Sequence, residues 1–270
     1  MPNRVSSFAS GPALAVSAAA ILAGSLPAQA QPQPGTALPP VKFEVQAGYK
    51  VGRLPNGLPD WSGVWGAVGP RNMDPTTDTG TPQPAAPLNA EYARRYKARL
   101  DGFASGKPIS DIGCLPEGAP RIMRAPYSME VVATPKQTWL LMEFKNENRR
   151  IYTDGRKPMD PDPTYEGYST GHWDGDALVF DTVALKAGTL DSRGLEHSDA
   201  MVLHERLRRV SQTLLLDEIT MSDPKAFTKP WTVIRSYKWQ PTWEQKEFIC
   251  AENERNAPAA DGSARIQLNK

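Results

Sequence analysis

From Tyr127 onward the chain is a succession of short segments of β-forming residues, nearly all separated by turn chemistry. The segments are Tyr127–Ala133, Thr138–Lys145, Arg149–Thr153, Tyr168–Trp173, Ala177–Val183, Met201–Val210, Thr213–Met221, Trp231–Trp239 and Thr242–Cys250. Thr134-Pro135-Lys136, Asp154-Gly155-Arg156, Asp174-Gly175-Asp176, Ser222-Asp223-Pro224 and Gln240-Pro241 punctuate them. No two segments are joined by a helical crossover, so the pattern predicts antiparallel pairing. Nine or ten such strands remove their exposed edges best by closing, which predicts a mainly β fold, an antiparallel meander barrel. Pro59 to Gly66, with Trp61 and Trp65, reads as one more strand before that series.

One segment has helical periodicity. From Leu88 to Phe103, Tyr92, Tyr96, Leu100 and Phe103 fall on one face, Asn89 is placed to cap the first turn, and Glu91 meets the helix dipole. Gly106 and Pro108 end the pattern. This single N-terminal helix is expected to pack across the barrel.

The start of the chain predicts export. Arg4 precedes an apolar run from Pro12 to Gly24, and Ala28-Gln29-Ala30 gives a signal-peptidase site, so residues 1–30 read as a signal peptide with Gln31 as the mature N-terminus. The run is shorter than the roughly 20 residues a membrane span needs. The mature chain is therefore expected to be soluble, without a membrane span, in the periplasm or secreted. Residues 31–59, rich in Pro, Gly, Gln and Ala, read as an extended leader, 60–256 as one barrel domain, and 257–270 as a polar tail.

Charge argues against a nucleic-acid partner, since 31 Lys plus Arg against 30 Asp plus Glu leave a net charge of +1. Two cysteines, Cys114 and Cys250, in an exported chain predict one disulfide. No Walker loop, G-x-G-x-x-G, C-x-x-C, H-E-x-x-H or G-x-S-x-G occurs, so no cofactor is expected. His197 and His204 are six residues apart in the intervening chain, a spacing that matches no compact metal site, so no metal is assigned.

What remains is a set of polar residues in apolar strands. His172 precedes the Asp174-Gly175-Asp176 turn and His197 leads into a strand; either can serve as a proton-transfer group, or be a surface or capping residue. His204, inside a charged strand, is a weaker candidate. Glu143 shares a period-2 face with Trp139 and Leu141; an inward orientation would require a partner, for which Arg150 and Tyr152 are the candidates. Glu143 is thus a candidate catalytic carboxylate, and a structural ion pair across the hairpin explains the same residues. Asp181 alternates with Val179 and Val183 and poses the same question. Arg150 suits capture of an anionic group, Tyr152 a phenol or carbonyl oxygen, and Trp173 an apolar substrate wall. Glu205, Arg206, Arg208 and Arg209 read as a solvated or ion-paired strand face.

Longer words in the sequence carry a resemblance. They are Cys114 to Met123, Arg149 to Arg156, Gly171-His172-Trp173-Asp174-Gly175-Asp176 continuing to Thr182, His197 to Met201, Glu205-Arg206, and Asp223 to Trp231. On these words the chain resembles a large family of secreted bacterial proteins, and its strand pattern is similar to lipocalin-like barrels. Lys157-Pro158-Met159 stands where that family often has a His-Pro pair, so any role of that His is absent or reassigned here. The resemblance implies aromatic small-molecule substrates and, through the barrel type, cofactor-free lyases, hydratases or isomerases. The leading expectation is a cofactor-independent lyase, of decarboxylase or retro-aldol type, working in the barrel lumen by acid–base chemistry. The alternatives are a periplasmic small-molecule carrier and an envelope domain without a pocket. The expected partner in the first two is a small molecule.

Overall fold

The computed structural model describes residues 45–69, 73, 85–105 and 113–250, all within one compact unit. The segment read as a signal peptide, the first part of that read as a leader, Gly106, Pro108 and the segment read as a polar tail lie outside the described residues.

Eleven strands are present among them: β1 (Val64–Val68), β2 (Ser128–Ala133), β3 (Gln137–Met142), β4 (Asn148–Tyr152), β5 (Tyr168–Asp174), β6 (Ala177–Val183), β7 (Gly188–Thr189), β8 (Glu196–His197), β9 (Val202–Ser211), β10 (Leu214–Ser222) and β11 (Trp231–Trp239). Nine of them close a barrel in the order β1-β11-β10-β9-β6-β5-β4-β3-β2, and β7 and β8 form a separate two-stranded ribbon.

The barrel departs from a pure meander at one place. β4 and β5 pair in parallel, with Ile151 opposite Ser169 and Tyr152 opposite Thr170. Residues 153–167 make this possible without a helix. They contain Pro158, Pro161 and Pro163, which favour extended backbone, and 15 residues of extended chain reach back along a short strand easily. Thr242–Cys250 forms no strand. β1 already bonds both β2 and β11, so closure leaves no edge for another strand. The segment instead runs over the outer wall as a strap, with Gln245 Nε2 donating to the Leu141 carbonyl at 2.6 Å and Asn146 Nδ2 to the Phe248 carbonyl at 2.7 Å. The strap ends at the Cys114–Cys250 disulfide, whose Cα atoms are 5.6 Å apart.

Period-2 alternation sets the interior. Met129 and Val131, Leu140 and Met142, Leu178 and Phe180, Leu203 and Leu207, Leu215 and Ile219, and Val233 and Tyr237 are all buried. The helix α1 (Ala90–Ala104) lays Tyr96, with Tyr92 and Leu100, against this core. Asn89 caps it as expected, its Oδ1 accepting from the amides of Glu91 and Tyr92 at 3.1 Å each. The Asn89 side chain also donates to the Lys225 carbonyl at 2.7 Å, which ties the helix start to the β10–β11 connection. No helix among the described residues is long and apolar enough to cross a membrane.

Both barrel ends are covered. The hairpin end carries the β2–β3, β5–β6 and β9–β10 turns, and residues 45–62 lie over it. There the Gln46 amide donates to Val210, Asn56 Nδ2 to Ala133, and Arg53 pairs with Asp176 at 2.5 Å. Part of the stretch read as a leader is thus a cover, with Val51 buried. At the opposite end residues 115–126 fold inward, and the Tyr237 hydroxyl donates to the Met123 carbonyl at 2.6 Å.

Candidate functional site

The lumen centre is filled by charged side chains. Arg149 on β4 is fully buried and grips Glu205 on β9 with two bonds, Nη1 to Oε2 at 2.8 Å and Nη2 to Oε1 at 2.6 Å. Nη2 also reaches the Thr182 hydroxyl at 3.2 Å, and Phe180 lies 5.3 Å from the guanidinium. Burial alone would lower the Arg149 pKa, but Glu205 beside it holds it above the usual arginine value. Asp217 on β10 faces Arg235 across the strand pair, is fully buried, and has no hydrogen-bond partner on either oxygen. Burial, reinforced by the Glu205 charge, pushes the pKa of its carboxyl well above the ordinary range. Burial, with Glu147 beside it, does the same to Glu166.

Glu205, expected on a solvated or ion-paired strand face, is ion-paired but points inward, and strand parity marks both it and Arg149. Glu205 alternates with Leu203 and Leu207, and Arg149 with Ile151, all buried. His204, Arg206 and Arg208 occupy the other parity and point outward.

The same parity moves two expected residues out of the lumen. Arg150 and Tyr152 lie on the outer face of β4. Arg150 stacks 4.1 Å from the Trp139 ring and its Nη1 donates to the Tyr152 hydroxyl at 3.1 Å. Arg156 covers Tyr152 from 4.0 Å, and Tyr168 stacks on it at 5.2 Å. Neither Arg150 nor Tyr152 is bonded to Glu143.

The three histidines do not converge. His172 is exposed on the outer face of β5 near the hairpin end, opposite Val179. His197 is buried at the opposite end, where its Nδ1 lies 3.0 Å from the Ser198 carbonyl. Burial lowers its pKa, which leaves the imidazole neutral near pH 7. His204 pairs on the surface with Asp181 at 2.7 Å. Among the described residues no group of His, Cys, Asp or Glu is arranged to hold a metal ion. Trp173 points inward, its ring 4.7 Å from that of Trp61.

Glu143 lies in a ligand-sized concavity, outside the lumen. Thr138, Leu140 and Met142 are the inward residues of β3, so the face of Trp139 and Leu141 is the outer one. Just past the strand end, Glu143 accepts a 2.5 Å bond from the Ser128 hydroxyl on its Oε2. With Tyr127 and Ser128 it forms one wall of a cleft of about 420 Å³, and Trp243, Glu244 and Lys246 of the strap form the other. That volume is in the range of small-molecule sites. Tyr127 is fixed by stacking on Phe144 at 4.6 Å and by the Phe248 edge at 5.4 Å. Trp243 is 48 % exposed, a large share for an indole. It lies on the barrel wall over Gly66, where a Cβ would come within 3.0 Å of its ring. Sequence reading missed the strap side of this cleft because Thr242–Cys250 was assigned to a strand.

No protein-family model and no curated protein matches the chain.

Proposed function

We propose that this is an exported small-molecule-binding barrel that takes a flat, polar-substituted ligand in the cleft between the strap and the barrel wall. The observation that carries this reading is the exposed Trp243 indole facing a concavity also walled by Tyr127, with Glu143 and Lys246 at hand. Aromatic walls supply contact area, and the few charged groups fix orientation. An aromatic acid, amine or phenol fits that chemistry, and the disulfide holds the strap in register with the wall.

A second reading keeps the acid–base lyase. It is favoured by Glu143, the one expected catalytic residue that lines the cleft, held by the Ser128 hydroxyl. His172, His197 and Tyr152 do not line it, so Glu143 would have to move the proton with the ligand's own groups.

Incubation with a panel of aromatic acids, amines and phenols, followed by mass analysis, separates the two. Binding with every ligand recovered intact supports carriage. Conversion that Glu143→Gln abolishes, with binding retained, replaces carriage by the lyase.

A further inference from the structure

At the hairpin end the barrel holds five buried polar atoms with no hydrogen-bond partner. They are the indole nitrogens of Trp61 and Trp173, Nε of Arg209, and the hydroxyls of Thr138 and Thr153. The fold gathers them. Thr138 is the second residue of β3, Thr153 follows the last residue of β4, Trp173 is next to last in β5, and Arg209 is close to the end of β9. All four strand termini meet at this end, and Trp61 comes down onto it from the cover formed by residues 45–62.

The five share one chemistry. Three are N–H groups that can only donate, and the two threonine hydroxyls can donate as well. No carboxyl oxygen is among them; those of Asp217 and Glu166 that lack a partner lie elsewhere in the barrel. Native proteins rarely leave buried donors unpaired, because each one costs free energy. Trp61 and Thr138 are sealed from solvent, at 1 % and 0 % exposure. Arg209 adds a positive charge. Its other two nitrogens donate to the carbonyls of Asp60 at 2.8 Å and Gln212 at 2.5 Å, which fixes the side chain, while its buried Nε has no partner. The Trp65 indole donates to the Trp61 carbonyl at 2.9 Å and so anchors the cover above the group.

We propose that this end of the barrel is a second, internal binding site, and that its ligand is a small organic carboxylate. A carboxylate only accepts, offers about four lone-pair positions, and gains most from a charged donor, so it complements this set. A neutral alcohol would meet donors with a donor of its own. Entry requires the cover to lift, and the ties that resist this are the Arg53–Asp176 pair, the hydrogen bonds that hold Gln46, Asn56 and Asp60 to the barrel, and the buried Trp65–Trp61 bond. The site is separate from the cleft and stands or fails independently of it.

The test uses the full mature protein, with acetate and propionate, which lack the aromatic ring the cleft is proposed to take, as probes and 1-propanol as the neutral control. Binding is read as a shift in melting temperature and in tryptophan fluorescence. Trp173→Phe keeps an aromatic ring and removes the N–H; Thr138→Val keeps the shape and removes the hydroxyl. A carboxylate is expected to bind, 1-propanol to bind at least tenfold more weakly, and each variant to lose about tenfold in carboxylate affinity. Trp243→Ala, in the cleft, is expected to leave this binding unchanged. The proposal is overturned if neither carboxylate shifts either signal, or if binding survives both variants undiminished. It is overturned equally if Trp243→Ala, rather than the two inner variants, abolishes binding.

Discussion

Arg149 on β4 and Glu205 on β9 meet across the barrel interior in a two-bond pair, both side chains fully out of solvent. Such a pair need not stabilise more than a well-packed apolar pair, but breaking it leaves one charge buried alone. Arg149→Leu is expected to cost about 3–5 kcal/mol, and Arg149→Leu with Glu205→Leu much less than the single change. Denaturant unfolding of the wild type, both single variants and the double variant measures the coupling. Additive losses would contradict it.

Asp217 and Glu166 make stability depend on pH. Their unperturbed values are 3.8 and 4.5, and both are raised well above these in the fold, chiefly by burial. The folded state therefore holds more protons than the unfolded chain. Their contribution is fully present below the unperturbed values and is lost as pH rises through the folded ones. Asp217→Asn is expected to flatten the loss on the alkaline side, read as melting temperature against pH. His197 works in the other direction. Its folded pKa lies below 6.5, so its contribution is present above that value and falls as pH drops, and His197→Gln removes that acid-side term.

Most of the wall of the barrel was legible from period-2 alternation and turn residues. The β6 and β11 boundaries coincide with the sequence expectation, and the Asn89 cap falls where its side chain can reach two free amides. The parallel β4–β5 pair was not legible, because a proline-rich return of extended chain carries no periodicity and was not counted as a crossover. Orientation was the harder matter. Arg149 and Arg150 are adjacent and chemically identical, and only the parity of Ile151 tells which one enters the core. The cleft was half legible. Glu143 stood out as a carboxylate in an apolar strand, whereas Trp243 belongs to a segment whose β-like composition finds no open edge to join.

The Cys114–Cys250 disulfide closes a separation of 136 residues and anchors the strap. Cys250→Ser is expected to lower stability by up to about 4–5 kcal/mol in the chain-entropy model. It should also weaken ligand binding in the cleft while far-ultraviolet circular dichroism at low temperature stays that of the barrel. Calorimetry and a ligand titration on one preparation check both. Unchanged binding would show that the strap holds its place without the bond.

Export is proposed from the first thirty residues. Mass analysis of protein purified from its native cells should give a chain beginning at Gln31. A mature species that retains Met1 would contradict the proposal.

The strap cleft is proposed to bind its ligand through Trp243. The most direct test is a fluorescence titration of the mature wild type and Trp243→Ala with the same aromatic ligand. Wild-type emission is expected to saturate, and the variant to bind about tenfold more weakly, the equivalent of about 1.4 kcal/mol of lost stacking. Equal affinity in the two proteins, with the barrel intact in both, would contradict the account.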